Sequence, residues 1–294
     1  EIASCLVGSE MCIRDSPTID TLMLNAGNLT VRKGVVDLRK NMVTASYLGT
    51  SDGAVTYLTP TPEYISEHPA PVADTTQVVA SAPMIIKGDS VELSRFSALY
   101  AVKGAKPLPG FDPSYIEVND VNIILSHFYN AASTVELPIT KIEAKERSGL
   151  RIMEGSGIVS VDSTGLALKD MTVKTLYSTL SATAGIPFAL MELNPSASLN
   201  AKANGSVGMP DVEAFMPDLQ AYTSKIPARS PLNFDFNASG TLAKVAIPKL
   251  DIAIPGVLSL NADGNAENAL DYKKLKANVK FEGSVTNPGV IDNM

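Results

Sequence analysis

Residues 115–175 carry a pattern that the rest of the chain repeats: YIEVNDVNIILSHFYNAASTVELPITKIEAKERSGLRIMEGSGIVSVDSTGLALKDMTVKT. Apolar side chains recur at every second position within short runs, and Gly, Asn, Asp and Ser fall between the runs. A period of two is typical of β-strands with one apolar face, and the intervening residues are typical of tight turns. The stretch therefore predicts successive strands joined by turns, with one long apolar face and no cluster of reactive groups.

The first sixteen residues differ from everything that follows. The run EIASCLVGSEMCIRDS holds both cysteines, Cys5 and Cys12, and shows no strand alternation. It lacks the basic start and the apolar core of ~7–15 residues that a secretory signal requires, and it resembles translated sequencing-adapter sequence. We therefore expect residues 1–16 to be a non-native leader and the chain to be a fragment of a longer protein.

Composition excludes several classes of function. Residues 17–294 contain no cysteine, so they hold no disulfide, no thiolate nucleophile and no zinc–thiolate site. The net charge is -7 and there is no basic run, so nucleic acid is not an expected partner. No apolar run approaches the ~18 residues of a membrane-spanning helix, which places any membrane anchor outside this sequence.

The region before residue 84 divides at a proline-rich stretch. Residues 17–58 predict a first β-segment, and Ser51-Asp52-Gly53 has the composition of a hairpin turn, since Asp-Gly readily adopts positive φ. Residues 59–83 contain five prolines, which remove backbone donors, and we interpret them as a linker or loop. In the first β-segment the pattern predicts strands at 21–24, 29–32 and 54–58, and a strand at 35–47 with an irregularity near Lys40-Asn41.

Residues 84–294 predict a second β-segment with a helical insert at 210–224. Within the insert, apolar residues follow helical spacing at Val212, Phe215, Met216, Leu219 and Tyr222. Pro210 suits the start of a helix, and Pro217 is expected to divide it into two short turns. The polar positions are acidic, which is unsuitable for anionic lipid, so we expect the insert to cap a sheet.

The sequence contains no recognisable catalytic constellation. Its two histidines are His68, in the predicted linker, and His127. Ser126 and His127 are neighbours on a predicted strand and would point to opposite faces, so they cannot form a triad with Asp120. We expect no catalytic residues, no metal site and no cofactor.

The whole pattern amounts to about fourteen strands and one short helical segment, which would span ~65 Å in a single sheet. One face is rich in Val, Leu, Ile and Ala, and the other in Lys, Glu, Asp, Ser and Thr. The apolar face must be covered. Either two layers pack together in a sandwich, or the sheet curls into a trough that holds a ligand.

Several motifs resemble the AsmA and TamB group of envelope proteins. The group's step E-(K/R)-S-G-L is complete here as Glu146-Arg147-Ser148-Gly149-Leu150, and the likeness covers most of residues 18–287. The other stretches that carry it are Phe111-Asp112, Tyr115-Ile116-Glu117, Val135-Glu136-Leu137-Pro138-Ile139 and Thr175-Leu176-Tyr177-Ser178.

The resemblance implies a long curled antiparallel sheet, a β-taco or groove, in the periplasm. It also implies anchoring to the inner membrane by a segment not present here, phospholipid transport toward the outer membrane, and a partner that assembles outer-membrane β-barrel proteins. Shielding acyl chains is worth about 0.8 kcal/mol per methylene, so two long chains need on the order of 20 kcal/mol, which requires a continuous apolar surface.

We therefore expect the groove to be lined by alternating apolar residues from several strands, with the inward parity of each strand set by its register. These residues are Ile123, Leu125, Val135, Leu137, Ile139, Leu150, Ile152, Leu166, Leu168, Leu258, Leu260, Val279 and Phe281. The alternative hypothesis is a structural or adhesive β-sandwich or solenoid, in which the same residues form a closed core without a ligand.

Overall fold

The structure, a computed structural model, describes residues 11–13, 21–25, 27–61, 84–131, 134–191, 194–226, 229–268 and 273–288. The chain divides into two compact units, residues 1–132 with 139–151 and residues 133–138 with 152–294. The strands belong to one large mixed β-sheet, which confirms the predicted mainly-β class. Eighteen strands, several of them only three to five residues long, are found among the described residues, where about fourteen were expected.

The first unit contains nine complete strands and part of a tenth. They are β1 (Met11–Ile13), β2 (Thr21–Asn25), β3 (Asn28–Arg32), β4 (Val35–Asp37), β5 (Met42–Ala45), β6 (Tyr47–Ser51), β7 (Ala54–Thr59), β8 (Ile85–Val102), β9 (Tyr115–Ala131) and β10 (Thr134–Glu146). Residues 134–138 of β10 belong to the second unit.

The long strand β8 organises the first unit. It pairs antiparallel with β9, while β5, β6 and β7 follow one another along its other edge, all parallel to it. The strands β4, β3 and β2 pair antiparallel with β5, β6 and β7 in turn. The sheet is therefore mixed, whereas the sequence predicted an antiparallel one.

This arrangement corrects one prediction in the first β-segment and locates the feature behind another. Asp52 does adopt a positive φ of 60°, but it does not reverse the chain, because β6 and β7 both run parallel to β8. The irregularity predicted near Lys40-Asn41 in the strand at 35–47 is a turn at 38–41, where Asn41 has φ 48°, so that β4 and β5 pair with each other.

Residues with a left-handed backbone conformation also occur close together in neighbouring strands of the first unit. Asp52, Arg95 and Asp120 all have positive φ, and the register of β8 with β9 shifts on both sides of Phe96. Such bulges change which parity faces a given side. As a result Leu93 pairs with Ile123 and Phe96 pairs with Val121, although Leu93 and Phe96 are three positions apart in β8 and their partners are two positions apart in β9.

The second unit is an antiparallel meander, in which each strand from β11 to β18 pairs with the next. The strands are β11 (Arg151–Asp162), β12 (Gly165–Thr175), β13 (Thr179–Pro187), β14 (Ser198–Val207), β15 (Leu232–Thr241), β16 (Lys244–Ile254), β17 (Leu258–Glu267) and β18 (Lys276–Val285). Short connections join most of them, as hairpins require.

The helical insert is confirmed between β14 and β15. It comprises α2 (Met209–Phe215), a 3-10 turn (Pro217–Leu219) and α3 (Gln220–Thr223). Pro210 lies in the first turn of α2, and Pro217 ends the α-helical run. A further single turn, α1 (Phe188–Met191), was not predicted, because four residues are too few to show a helical period.

Two predicted segments lie largely outside the described residues. Of the leader, only Met11–Ile13 is described, as β1 paired with β2. Of the predicted linker at 59–83, residues 59–61 are described and His68 is not.

Candidate functional site: an apolar sheet face and its helical cap

Strand register in the second unit aligns apolar residues across many strands. One row of directly paired residues crosses seven strands without a polar side chain, and the next apolar row includes Phe234, Ile252 and Leu260. We call the surface formed by these rows the apolar face. The first row consists of Met171, Ala182, Ala203, Phe236, Leu250, Ala262 and Phe281.

The adjacent row, which points to the other side, is entirely polar. It consists of Thr172, Ser181, Asn204, Asp235, Asp251, Asn261 and Glu282. Each residue in one row is the chain neighbour of a residue in the other, so the period-two pattern has become two chemically distinct faces. We call the second surface the polar face.

Interactions on the polar face balance its like charges. Lys249 Nζ lies 2.6 Å from Asp235 Oδ2 and 3.3 Å from Asp251 Oδ2, which holds the pKa of Lys249 above its ordinary value. The Asn261 amide donates to Asp251 Oδ1 at 2.7 Å and, together with Lys249, lowers the pKa of Asp251. Asp251 therefore remains charged at neutral pH.

Bulges keep the apolar face continuous where the sequence parity changes. In β16, Val245 and Ile247 precede a register shift and Leu250 and Ile252 follow it, yet all four pair with residues of the apolar face. The shift at Pro248 and Lys249 supplies the extra residue that restores the alignment. A simple odd–even rule would have placed half of β16 on the wrong side.

The two faces differ in exposure. In β14 the apolar-face residues are half-buried and the polar-face residues are exposed except Ser206, and β12 and β17 show nearly the same alternation. In the last strand, β18, the exposure rises to 54% for Val279 and 77% for Phe281.

Seven of the predicted groove residues lie on this one face. Ile152 lies on this face because it pairs with Thr175, which is two positions from Val173 in β12 and therefore points to the same side. The others are Leu166, Leu168, Leu258, Leu260, Val279 and Phe281.

The remaining six predicted residues lie elsewhere in the chain. Ile123 and Leu125 belong to the first unit, where they pair with Leu93 and Val91, and Leu125 is buried. The other four are half-buried residues in β10 or just before β11, namely Val135, Leu137, Ile139 and Leu150.

The prediction missed most of the centre of the apolar face. Small residues such as Ala182 and Ala203 fill it between larger neighbours, and Phe234 and Phe236 add aromatic rings to that of the predicted Phe281. Their alternation at 197–203 and 232–238 is visible in the sequence. The sequence does not show that the strands containing these residues, β14 and β15, lie between β12 and β16 in the sheet and so continue the apolar rows across it.

A helical segment, residues 209–226, covers one end of the apolar face and is called the cap here. Met209 and Ile226 of the cap are buried against Val257, with Leu232, Ile254 and Leu258 packed beside them. Between the cap and the sheet lies a cavity of about 460 Å³ that opens to solvent. Its lining consists of Met209, Val212, Leu219, Tyr222, Thr223, Ile226, Leu232 and Ile254.

A buried carboxylate fastens the start of the cap to the sheet. Asp211 is 8% exposed and accepts hydrogen bonds from the hydroxyls of Thr175 and Ser178, at the turn between β12 and β13. The Ser178 hydroxyl also accepts a bond of 3.0 Å from the Gly208 amide. The Thr-Leu-Tyr-Ser stretch that contributed to the family resemblance therefore anchors the cap in this structure.

A second polar cluster closes the cap on itself. Thr223 Oγ1 donates to Glu213 Oε1 at 2.5 Å, and the Arg229 guanidinium donates to Glu213 Oε2 at 2.7 Å. These two donors lower the pKa of Glu213. Both ends of the cap are thus held by polar contacts, while its apolar side borders the cavity.

The Glu-Arg-Ser-Gly-Leu step has a structural role in the first unit. The backbone closes a turn, since the Gly149 amide donates to the Glu146 carbonyl at 3.0 Å with Gly149 at φ 102°. The Arg147 side chain then donates to the carbonyls of Leu108 and Gly110, at 2.7 and 2.9 Å. The step therefore joins the turn after β10 to the loop before β9.

The described residues contain no group of three or more His, Cys, Asp or Glu side chains that could hold a metal ion. No helix in the described part of the chain is long and apolar enough to cross a membrane. His127 is exposed with φ 53°, on the strand β9.

No family model matches the chain, and no curated protein matches it either.

Proposed function

We propose that the apolar face of β11–β18 holds the acyl chains of phospholipid. In this proposal the chain is a piece of an AsmA/TamB-like envelope protein that carries lipid across the periplasm toward the outer membrane and so supports outer-membrane assembly. Its partners are phospholipid and an outer-membrane assembly protein, and it performs no catalysis.

The observation that supports the proposal is the unbroken alignment of apolar rows over seven strands, backed by an equally unbroken polar face. Apolar surface of this extent is rarely left uncovered in soluble proteins. The face is mostly aliphatic, and among the described residues of the second unit only Ala197, Met209, Ile226, Ala238 and Val257 are buried hydrophobic residues. A closed sandwich core would bury far more of these side chains.

The physical match is with long unbranched chains. A row of small and aliphatic side chains offers contact at every strand, at a spacing of about 4.8 Å, and makes no hydrogen-bonding demand on its ligand. Each methylene removed from water contributes about 0.8 kcal/mol, so the binding energy is distributed over many weak contacts.

Native mass spectrometry with lipid extraction tests the proposal on the full chain expressed in a bacterial envelope. A matched pair of variants in β17 adds the same charge to opposite faces: Leu260→Asp on the apolar face and Asn265→Asp on the polar face. We expect phospholipid to co-purify with the wild type and with Asn265→Asp, and to be lost from Leu260→Asp while its circular dichroism is unchanged.

Absence of lipid from a folded wild type would contradict the proposal. The structural or adhesive scaffold would then be the better hypothesis, and the polar face would be the surface to examine for partners.

A further inference from the structure

We propose that the cavity beneath the cap is a separate site for one acyl chain, distinct from the open part of the apolar face. This inference rests on the proposed function, since the chain would reach the cavity along that face. Leu232 and Ile254 line the cavity and also belong to the face, because Leu232 pairs with Val207 and Ile254 with Leu258. The two surfaces are therefore continuous.

The chemistry of the lining selects an apolar ligand. Six of its eight residues are aliphatic or methionine, and the aromatic member is Tyr222. The hydroxyl of Thr223 already donates to Glu213 at 2.5 Å, so it needs no partner from a ligand. A ligand group with its own hydrogen-bonding requirement finds few side-chain partners in this lining, chiefly the Tyr222 hydroxyl, whereas a hydrocarbon chain needs none.

The size of the cavity indicates a single chain. Its volume of about 460 Å³ lies within the range of small-molecule pockets, about 300–1,000 Å³. The polar clusters around Asp211 and Glu213 fasten the cap through contacts with Thr175, Ser178, Thr223 and Arg229. A chain that enters the cavity breaks none of these bonds, so the cap can hold it without unfolding.

The absence of tryptophan from the sequence provides a direct test. Tyr222→Trp places a single indole at the cavity, and Phe236→Trp places one on the open face, five positions into β15. Dibromostearate, added below its critical micelle concentration, quenches an indole only on contact. Leu219→Trp serves as a second cavity reporter if Tyr222→Trp does not fold.

We expect the cavity reporter to lose more than half of its fluorescence with saturation at one equivalent. Adding Val212→Phe, which fills the cavity, should abolish that quenching and leave the quenching of Phe236→Trp unchanged. Quenching of Phe236→Trp alone, with an unquenched cavity reporter, would overturn the inference and leave the proposed function intact. No quenching of either reporter would overturn both.

Discussion

Asp52 and Arg95 form a bidentate ion pair in the first unit, and both residues have a left-handed backbone conformation. The guanidinium donates to both carboxylate oxygens at 2.6 Å, and these bonds hold the pKa of Asp52 at about 2. Because both side chains are about half exposed, the ion pair contributes modestly to the stability of the fold, and its main role is to hold the two left-handed residues in place.

The depressed pKa of Asp52 predicts a pH dependence with a definite sign. A carboxyl whose pKa is lower in the folded state stabilises the fold above its unfolded value of about 3.9, and this contribution is lost as the pH falls toward the folded value. Urea unfolding of wild type and Asp52→Asn should therefore differ above pH ~4 and converge near pH ~2. Asn tolerates positive φ, so the backbone is matched; a difference independent of pH would contradict the assignment.

Gly53, next in the chain, predicts an effect of packing alone. A Cβ at this position would lie 2.2 Å from the ring of Phe96, which is buried. Gly53→Ala should therefore destabilise the fold by about 1–3 kcal/mol, the usual cost of overpacking. Gly185→Ala is the matched control, because a Cβ there meets nothing within 4 Å. Equal unfolding midpoints for the two variants would show that Phe96 moves freely.

At the scale of elements, the cap depends on one carboxylate. Asp211→Asn replaces the carboxylate group whose Oδ2 accepts both hydroxyl bonds with an amide group, whose oxygen is a weaker acceptor. We expect a loss of about 1–3 kcal/mol and faster cleavage within residues 209–226 by limited proteolysis. Asp218→Asn, on the exposed 3-10 turn of the same cap, should leave the cleavage rate unchanged. Unchanged protection in both variants would mean that apolar contacts alone hold the cap.

The strand β18 is an exposed element with an apolar side. All ten of its residues are exposed, and its described partner strand is β17. Exposed strands with apolar side chains are templates for pairing with other chains, and lysine suppresses this pairing. Phe281→Lys should therefore reduce concentration-dependent association in sedimentation velocity more than Asn278→Lys, which adds the same charge on the polar face. An equal reduction would indicate a purely electrostatic effect.

At the scale of the whole molecule, bound lipid should raise thermal stability. A ligand that binds only the folded state adds about 2.7 kcal/mol at a free concentration of 100 Kd. We expect scanning calorimetry with a lysophospholipid, below its micellar concentration, to show a higher Tm for the wild type and for Asn265→Asp. Leu260→Asp should show a smaller rise; an identical rise in all three proteins would place the lipid away from the apolar face.

The mainly-β class and the two faces follow from local alternation, so they were predictable. Leu166 and Leu168, or Leu258 and Leu260, needed only the period of two. The cap was predictable for the same reason, because its apolar spacing and Pro217 are local signals.

The parallel strands and the cavity were not predictable in this way. Asp52-Gly53 suits a hairpin turn as well as a left-handed kink, and β8, which distinguishes the two, lies over thirty positions further along the chain. The cavity depends on how far Val212 and Leu219 stand from Leu232 and Ile254, a distance set by packing and not by any motif. Long-range pairing and packing voids leave no periodic signal.

The meander of the second unit has a consequence for how such a surface can change in length. Each strand from β11 to β18 pairs only with its sequence neighbours among the described strands. A duplicated or deleted hairpin would therefore lengthen or shorten the apolar face by about 10 Å while leaving every other pairing intact. Gene duplication could therefore change the length of the apolar face in fixed increments of one hairpin, without altering the residues that give each hairpin its chemistry.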